Sequence, residues 1–259
     1  KRQSKGYATR PTFSVQQIGE LIAFLKSLKP DIICMVDNCY GEFVEPIEPS
    51  DVGADMIVGS LIKNPGGGLA PTGGYIVGRQ DVIDRVSYRL TAPGIGREVG
   101  SYAGSYQPFY QGLFLAPHVV AQAVRTSVLA AAVCEALGMR STPAPDDRRT
   151  DIIQALELGT PERLIAFCQG IQMASPIDSM ALPEPWDMPG YQHQVIMAAG
   201  TFVSGASIEL SADAPMREPY TAFLQGGLTY SHGKLALTRT FEYMQKKGCL
   251  LYTSPSPRD

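Results

Sequence analysis

The chain has 259 residues, a formal net charge of -3 at neutral pH and an apolar fraction of 44%. That length admits one large domain or two ordinary ones with ample core, and the charge leaves no basic footprint for nucleic acid. The start at Lys1 shows no charged and apolar leader, so no signal peptide is expected. The longest apolar stretch, 119–137, is interrupted by Gln122, Arg125 and Glu135. It is read as a buried or interface helix, and no run is expected to reach the length of a membrane span. Five cysteines show no paired metal spacing. Cys34, Cys134 and Cys168 fall in apolar segments and are read as small buried hydrophobes, in keeping with a reducing cytoplasm.

Ser14 followed by Gln17 has the form of a capping box, and Ile18, Leu21, Ile22 and Leu25 recur at helical spacing. A helix is therefore predicted to begin there and to stop at Lys29 and Pro30. Ile32, Ile33, Cys34, Met35 and Val36 form a continuous β-favouring run, which predicts a strand covered on both faces and ending at Asp37. A second strand is predicted over 56–58, ending at Gly59 and Ser60. A glycine-rich loop, 64–74, and a third strand, 75–77, follow. The alternation predicts an α/β domain with a mostly parallel sheet. Next comes a long helix, 114–137, closed by Gly138, and a Pro- and Asp-rich linker, 142–149. Beyond it the pattern gives a strand over 151–155, a helix over 161–174 capped by Thr160, strands near 195–203, 207–210 and 220–224, and a helix near 232–245. That is a smaller α+β domain. The expected division is 1–138 and 139–248. Residues 249–259 read codon for codon as a translated sequencing adapter and are expected to lie outside the fold, and the chain is expected to be a piece of a longer protein.

In an open parallel sheet, ligands bind at the carboxyl ends of the strands. Asp37 closes one strand, and Ser60 to Lys63 closes the next. Pyridoxal-phosphate (PLP) chemistry needs an acid to hold the pyridine nitrogen protonated, an amine to form a Schiff base, and hydroxyl or N–H donors for the phosphate. Asp37, Lys63 and Ser60 match those needs. Tyr40, three residues after Asp37, has a phenol to offer the ring oxygen, and Gly66, Gly67 and Gly68 leave room beside Lys63. Spacing alone leaves other readings open, because an Asp at a strand end and a Lys before glycines occur in many unrelated domains.

Two segments sharpen the reading: Val36-Asp37-Asn38-Cys39-Tyr40-Gly41-Glu42-Phe43 and Gly59-Ser60-Leu61-Ile62-Lys63-Asn64-Pro65-Gly66-Gly67-Gly68. They resemble the signature segments of the methionine γ-lyase family, whose members are often labelled aluminium-resistance proteins. The resemblance continues through Thr91-Ala92-Pro93-Gly94-Ile95-Gly96, Tyr110-Gln111-Gly112-Leu113-Phe114, Pro185-Trp186-Asp187-Met188-Pro189 and Gln225-Gly226-Gly227-Leu228-Thr229-Tyr230, and covers nearly everything from Gly6 to about Met244. It implies the aspartate-aminotransferase-like fold of PLP enzymes, fold type I, represented here by the later part of the large domain and a C-terminal α+β small domain. It also implies a PLP-dependent carbon–sulfur lyase of the methionine γ-lyase or cystathionine lyase type. Transamination and a non-catalytic PLP-fold protein are the alternatives.

By the same resemblance Lys63 is the Schiff-base lysine and proton shuttle, Asp37 the pyridinium partner, Ser60 a phosphate ligand and Tyr40 a ring contact. Arg149 is the first candidate for a substrate carboxylate, since a planar fork suits bidentate recognition. Arg97 and Arg217 stand behind it, and salt bridging is as good an account of each. The expected partner is a small amino acid, with no nucleic acid or membrane, in a homodimer or homotetramer at full length. His118, His193 and His232 are too scattered for a metal site. Trp186 is read as a packed loop residue, and Glu42 and Glu45 as a solvated or ion-paired edge. In such enzymes the main phosphate-binding turn and the ring-stacking aromatic lie before the segments found here. The chain is therefore expected to hold part of the site and to be inactive alone.

Overall fold

Ser14 Oγ accepts the Gln17 N–H at 3.2 Å, and Gln17 Oε1 accepts the Ser14 N–H at 2.9 Å. The capping box thus closes, and helix α1 runs over Val15–Leu28. The computed structural model describes residues 7–250, a mixed α/β chain that divides into two units.

The first unit carries a three-stranded sheet of β1 (Met35–Asp37), β2 (Met56–Ser60) and β3 (Gly74–Gly78). β1 runs parallel to β2, whereas β3 runs antiparallel to it, so this sheet is not mostly parallel. The connection explains the difference. The stretch from Leu61 to Gly73, whose ends are tied by a Leu61 N–H to Gly73 O bond of 2.9 Å, forms a hairpin and holds no crossover helix. Alternate residues separate the faces. Cys34, Val36 and Ile57 pack on Ile18 and Ile22 of α1, while Met35 is 55% exposed and Ile76 43% exposed on the other side. The run read as covered on both faces is covered on one.

Helix α2 (Gln80–Ser87) leads to α3 (Gln107–Ala136). By length and composition α3 is long and apolar enough to cross a membrane, which corrects the expectation that no segment is. One side of it packs, with Ala116, Val120, Ala123, Ala130 and Cys134 all buried, while Tyr110, Leu113 and Phe114 are exposed. The division between the units falls within α3, after Ala121, and not at 138, because Ala130 and Cys134 belong to the second core. Nor does the expected linker run straight on. Arg149–Ile152 returns to the first unit, where Thr12 Oγ donates to Asp151, Thr150 Oγ to Thr12 O at 3.1 Å, and the Ile152 N–H to Tyr40 O at 3.2 Å.

In the second unit β4 (Arg140–Thr142), β5 (Gln154–Glu157), β6 (Val195–Ala198), β7 (Ser211–Pro215) and β8 (Thr221–Gln225) form an antiparallel sheet in the order β4-β5-β8-β7-β6. Trp186 pairs through its backbone with Val195 at the sheet's margin. Thr160 caps α4 (Pro161–Met173), as its position predicts, by accepting the Arg163 N–H. Phe167, Leu164 and Ile171 of α4 share a core with Leu237 and Met244 of α5 (Tyr230–Lys246). At the crossing of these helices a Cβ on Gly170 would stand 2.8 Å from Thr240 Cα. Gly170→Ala gains about 1 kcal/mol in helix propensity, but the clash is with backbone, and overpacking costs about 1–3 kcal/mol. The variant is expected to be the less stable protein, with a lower urea midpoint at unchanged slope. A raised midpoint would show that the helices part freely.

Helix α5 ends in a Schellman motif. Gly248 is left-handed (φ 72°), its N–H bonds Gln245 O at 2.9 Å, and the Cys249 N–H bonds Met244 O at 2.9 Å. Cys249 and Leu250 pack on the second core, and Arg163 Nε donates to Cys249 O at 2.8 Å. These two residues of the expected adapter tail are thus part of the fold, because the helix cap needs an apolar residue just past the glycine. The rest of that tail lies outside the described residues.

Candidate functional site

The parallel register sets Asp37 beside Val58, so the two side chains share a face, and Ser60, two residues on, shares it too. Asp37 and Ser60 therefore stand at the carboxyl ends of neighbouring strands on the side that carries Met35 and Ile76. Lys63 follows at once, where Ser60 and the 3-10 turn Asn64–Gly66 fold the chain back. Asp37 Oδ1 accepts the Cys39 N–H at 3.2 Å, and this Asx turn orients the carboxylate. Ser60 Oγ accepts the Ile62 N–H at 3.3 Å, leaving its own proton to donate.

Tyr40 and Phe43 both adopt left-handed backbone, φ 75° and 62°, at a cost of about 1 kcal/mol or more each for residues with a side chain. The turn is held by Gly41 N–H to Asn38 O at 2.9 Å, Ile152 N–H to Tyr40 O at 3.2 Å and Phe43 N–H to Glu48 Oε1 at 2.8 Å. This strained turn brings the Tyr40 ring to Lys63, whose Nζ lies 5.3 Å from the ring centroid. Cys39 reports on the same neighbourhood. Burial, followed by the charges of Asp37 and Glu42, pushes its thiol up to about 11, and Lys63 is near enough to pull the other way. A thiol held protonated is a poor nucleophile. Asp37 and Lys63 thus act on one thiol with opposite sign.

Asp37, Tyr40, Ser60 and Lys63 are brought together. Arg149 is buried in the segment that bonds the Tyr40 turn. Arg97 is not gathered in. It pairs with Asp84 at 3.3 Å, and both are well exposed. Arg217 lies in the second unit, just before Pro219. Among the described residues no cluster of His, Cys, Asp or Glu has the makings of a metal site.

Three neighbours escaped the sequence reading. Glu42 and Glu45, read as a solvated or ion-paired edge, are buried: Glu42 Oε1 accepts the Tyr75 hydroxyl at 2.8 Å and Glu45 Oε2 the Val15 N–H at 2.9 Å. Burial, then the charge of Glu42, raises the Tyr75 pKa, so the phenol stays a donor. A Cβ on Gly59 would stand 2.6 Å from Glu42 Oε1, so the glycine before Ser60 was the available signal. Asn64 is fully buried and donates to Glu42 O at 3.0 Å. On this opposite face of the sheet a cavity of about 270 Å³ is lined by Asn38, Glu42, Glu48, Leu61, Tyr75 and Leu113.

The set of an acid, a phenol, a hydroxyl and an amine along one sheet edge fits the donors that PLP uses. A family model for methionine gamma-lyase matches residues 1–245. The protein YnbB of Bacillus subtilis (strain 168) is 56% identical over 246 residues, which are 95% of this chain and 58% of that protein. The crystal structure of a carbon-sulfur lyase involved in aluminium resistance from Clostridium novyi NT is 50% identical with a TM-score of 0.88, covering 94% of this chain and 56% of that one. At 17% identity and a TM-score of 0.53 the fold extends to the pyridoxal-5'-phosphate-dependent protein YhfS from Escherichia coli, over 88% of this chain and 58% of that one. The chain spans little more than half the length of these relatives. It belongs to the methionine gamma-lyase family.

Proposed function

We propose that the chain is the larger part of a PLP-dependent carbon–sulfur lyase of fold type I, acting in the cytoplasm on a sulfur-containing amino acid. The observation that carries this reading is the shared face of Asp37 and Ser60 at the carboxyl edge of parallel strands, with Lys63 directly beyond. The cofactor, when bound, supplies an electron sink for the pair released as the substrate Cα–H bond breaks. Lys63 Nζ would hold the cofactor, and its amine, once freed, would be the base that takes the Cα proton. Asp37, its carboxylate oriented by the Asx turn, would keep a proton on the ring nitrogen. Ser60 would donate to the phosphate and Tyr40 to the ring oxygen. Arg149, already buried beside the Tyr40 turn, takes the substrate carboxylate in preference to Arg97, which has Asp84, and to Arg217. The open face of β1 and β3 leaves the site incomplete, so this chain alone is inactive, and the working protein is a homodimer or homotetramer of longer chains.

The test uses the protein at the length of its relatives, with this chain beside it. Each is treated with PLP, reduced with borohydride and mapped by peptide mass, and assayed for thiol and 2-oxo acid from methionine, cystathionine and cysteine. Labelling at Lys63 with release of both products from the longer protein is the expected result. A 2-oxo acid without thiol would replace lyase by transaminase. Neither product, with Lys63 unlabelled, would end the reading in favour of a non-catalytic protein.

A further inference from the structure

The chain after Lys63 is fixed to an unusual degree. The Gly66 N–H bonds Lys63 O at 3.1 Å, and Gly66 O accepts from both Leu69 N at 2.8 Å and Ala70 N at 3.2 Å. The Gly67 N–H bonds Asn64 O at 3.1 Å with φ 54°. This peptide cannot turn away from its neighbours, and α3 lies directly against it. A Cβ on Gly112 of α3 would stand 2.1 Å from Gly66 O, and a Cβ on Gly67 would stand 2.4 Å from Gly112 O. Real Cβ atoms essentially never come closer than 3.0 Å to such atoms. Both partners are backbone, so neither swings aside as a side chain would. Ala116, one turn along α3 and fully buried, brings its N within 3.3 Å of the same Gly67 position.

We propose that Gly112 is a positioning residue for Lys63. Its bare Cα lets α3 serve as the wall against which the Lys63 loop is set, and the loop in turn aims Nζ at the Tyr40 ring. Gly112 has no side chain and acts through the Gly66 peptide. A methyl group at 112 moves the Gly66 peptide, and the displacement passes through the Gly66 N–H to Lys63 O bond to the lysine. The role in catalysis rests on the reading of Lys63 as the cofactor lysine, but the placement of the amine does not.

The experiment therefore reads the amine itself. The full chain, Gly112→Ala and Gly67→Asn are labelled competitively with acetic anhydride across a pH series. Acetylation of Lys63 is divided by that of Lys26, which lies in the same unit and is held by Asp55. A general loss of stability moves both lysines together, whereas displaced positioning moves Lys63 alone. The ratio is expected to shift in Gly112→Ala. Reductive capture of PLP at Lys63 is expected to fall by roughly 10- to 100-fold, the scale on which ~1 Å of misplacement acts. Asn tolerates left-handed backbone, so Gly67→Asn tests the contact from the loop side without that strain, and it decides the matter if Gly112→Ala fails to fold. An unchanged ratio and unchanged capture in a folded variant would overturn the proposal while leaving the cofactor reading intact. Absence of PLP capture in the unaltered chain would leave the acetylation ratio to decide on Gly112, while the longer protein decides on the cofactor.

Discussion

Lys63→Ala, made in the protein at the length of its relatives, is expected to lose reductive capture of PLP at this position. The rate of thiol release should fall by a factor on the order of 10²–10⁴, the usual worth of a positioned proton-transfer group. Lys63→Arg should fare no better, since a guanidinium that never gives up its proton has no pair to offer a carbon or a proton. The loss will not come from unfolding. The side chain of Lys63 faces the Tyr40 ring from 5.3 Å, a contact worth about 0.5–1 kcal/mol at a partly open position. The backbone bonds at Lys63 N and O survive either substitution. Added methylamine should restore part of the Lys63→Ala rate, because a small amine can stand in the space the lysine leaves. A Lys63→Ala protein that keeps its rate, or that still captures cofactor at this position's peptide, would remove Lys63 from the mechanism.

What the sequence discloses here is what neighbours along the chain decide. The caps at Ser14 and Thr160 are complete within three residues, and the ends of β1 and β2 are marked where apolar runs meet Asp37 and Ser60. The residues gathered at the edge could be named in advance for that reason. Harder to see was anything decided by a distant partner. Glu42 and Glu45 look like a solvated edge until Tyr75 and the start of α1 are placed beside them. The return of Arg149–Ile152 depends on Thr12 and the strained Tyr40 turn, far apart in the chain. Gly112 reads as one more glycine in an aromatic stretch, and its meaning lies in the oxygen of Gly66. The antiparallel β3 was within reach, since a short glycine-rich connection has no room for a crossover, but the alternation of strands and helices around it suggested the opposite direction.

Asp55→Ala is expected to destabilise the first unit by about 3 kcal/mol. The Asp55 side chain is 2% exposed, and it ties three pieces of chain. Its Oδ2 accepts the buried Cys34 N–H at 2.9 Å, just before β1. Lys26 of α1 lies 2.9 Å from Oδ2, and Arg79, at the head of α2, lies 2.7 Å from Oδ1. Removing the carboxylate leaves the Cys34 N–H without an acceptor, at roughly 1–3 kcal/mol. Because Arg79 is 54% exposed, solvent screens its share, and the Lys26 pair adds no more than about 1 kcal/mol. Burial raises the Asp55 pKa, but the Cys34 N–H, Lys26 and Arg79 together outweigh it and hold the group below its ordinary 3.8. A depressed carboxyl stabilises the fold at pH above the unfolded value and loses that contribution as pH falls through the folded one. In Asp55→Asn, which keeps the shape but has no carboxyl to titrate, the gap in urea midpoint from the unaltered protein should be constant near neutral pH and should narrow below 3.8. A gap that stays the same down to pH of about 2 would mean that the charge of Asp55 contributes nothing to the difference between the two side chains.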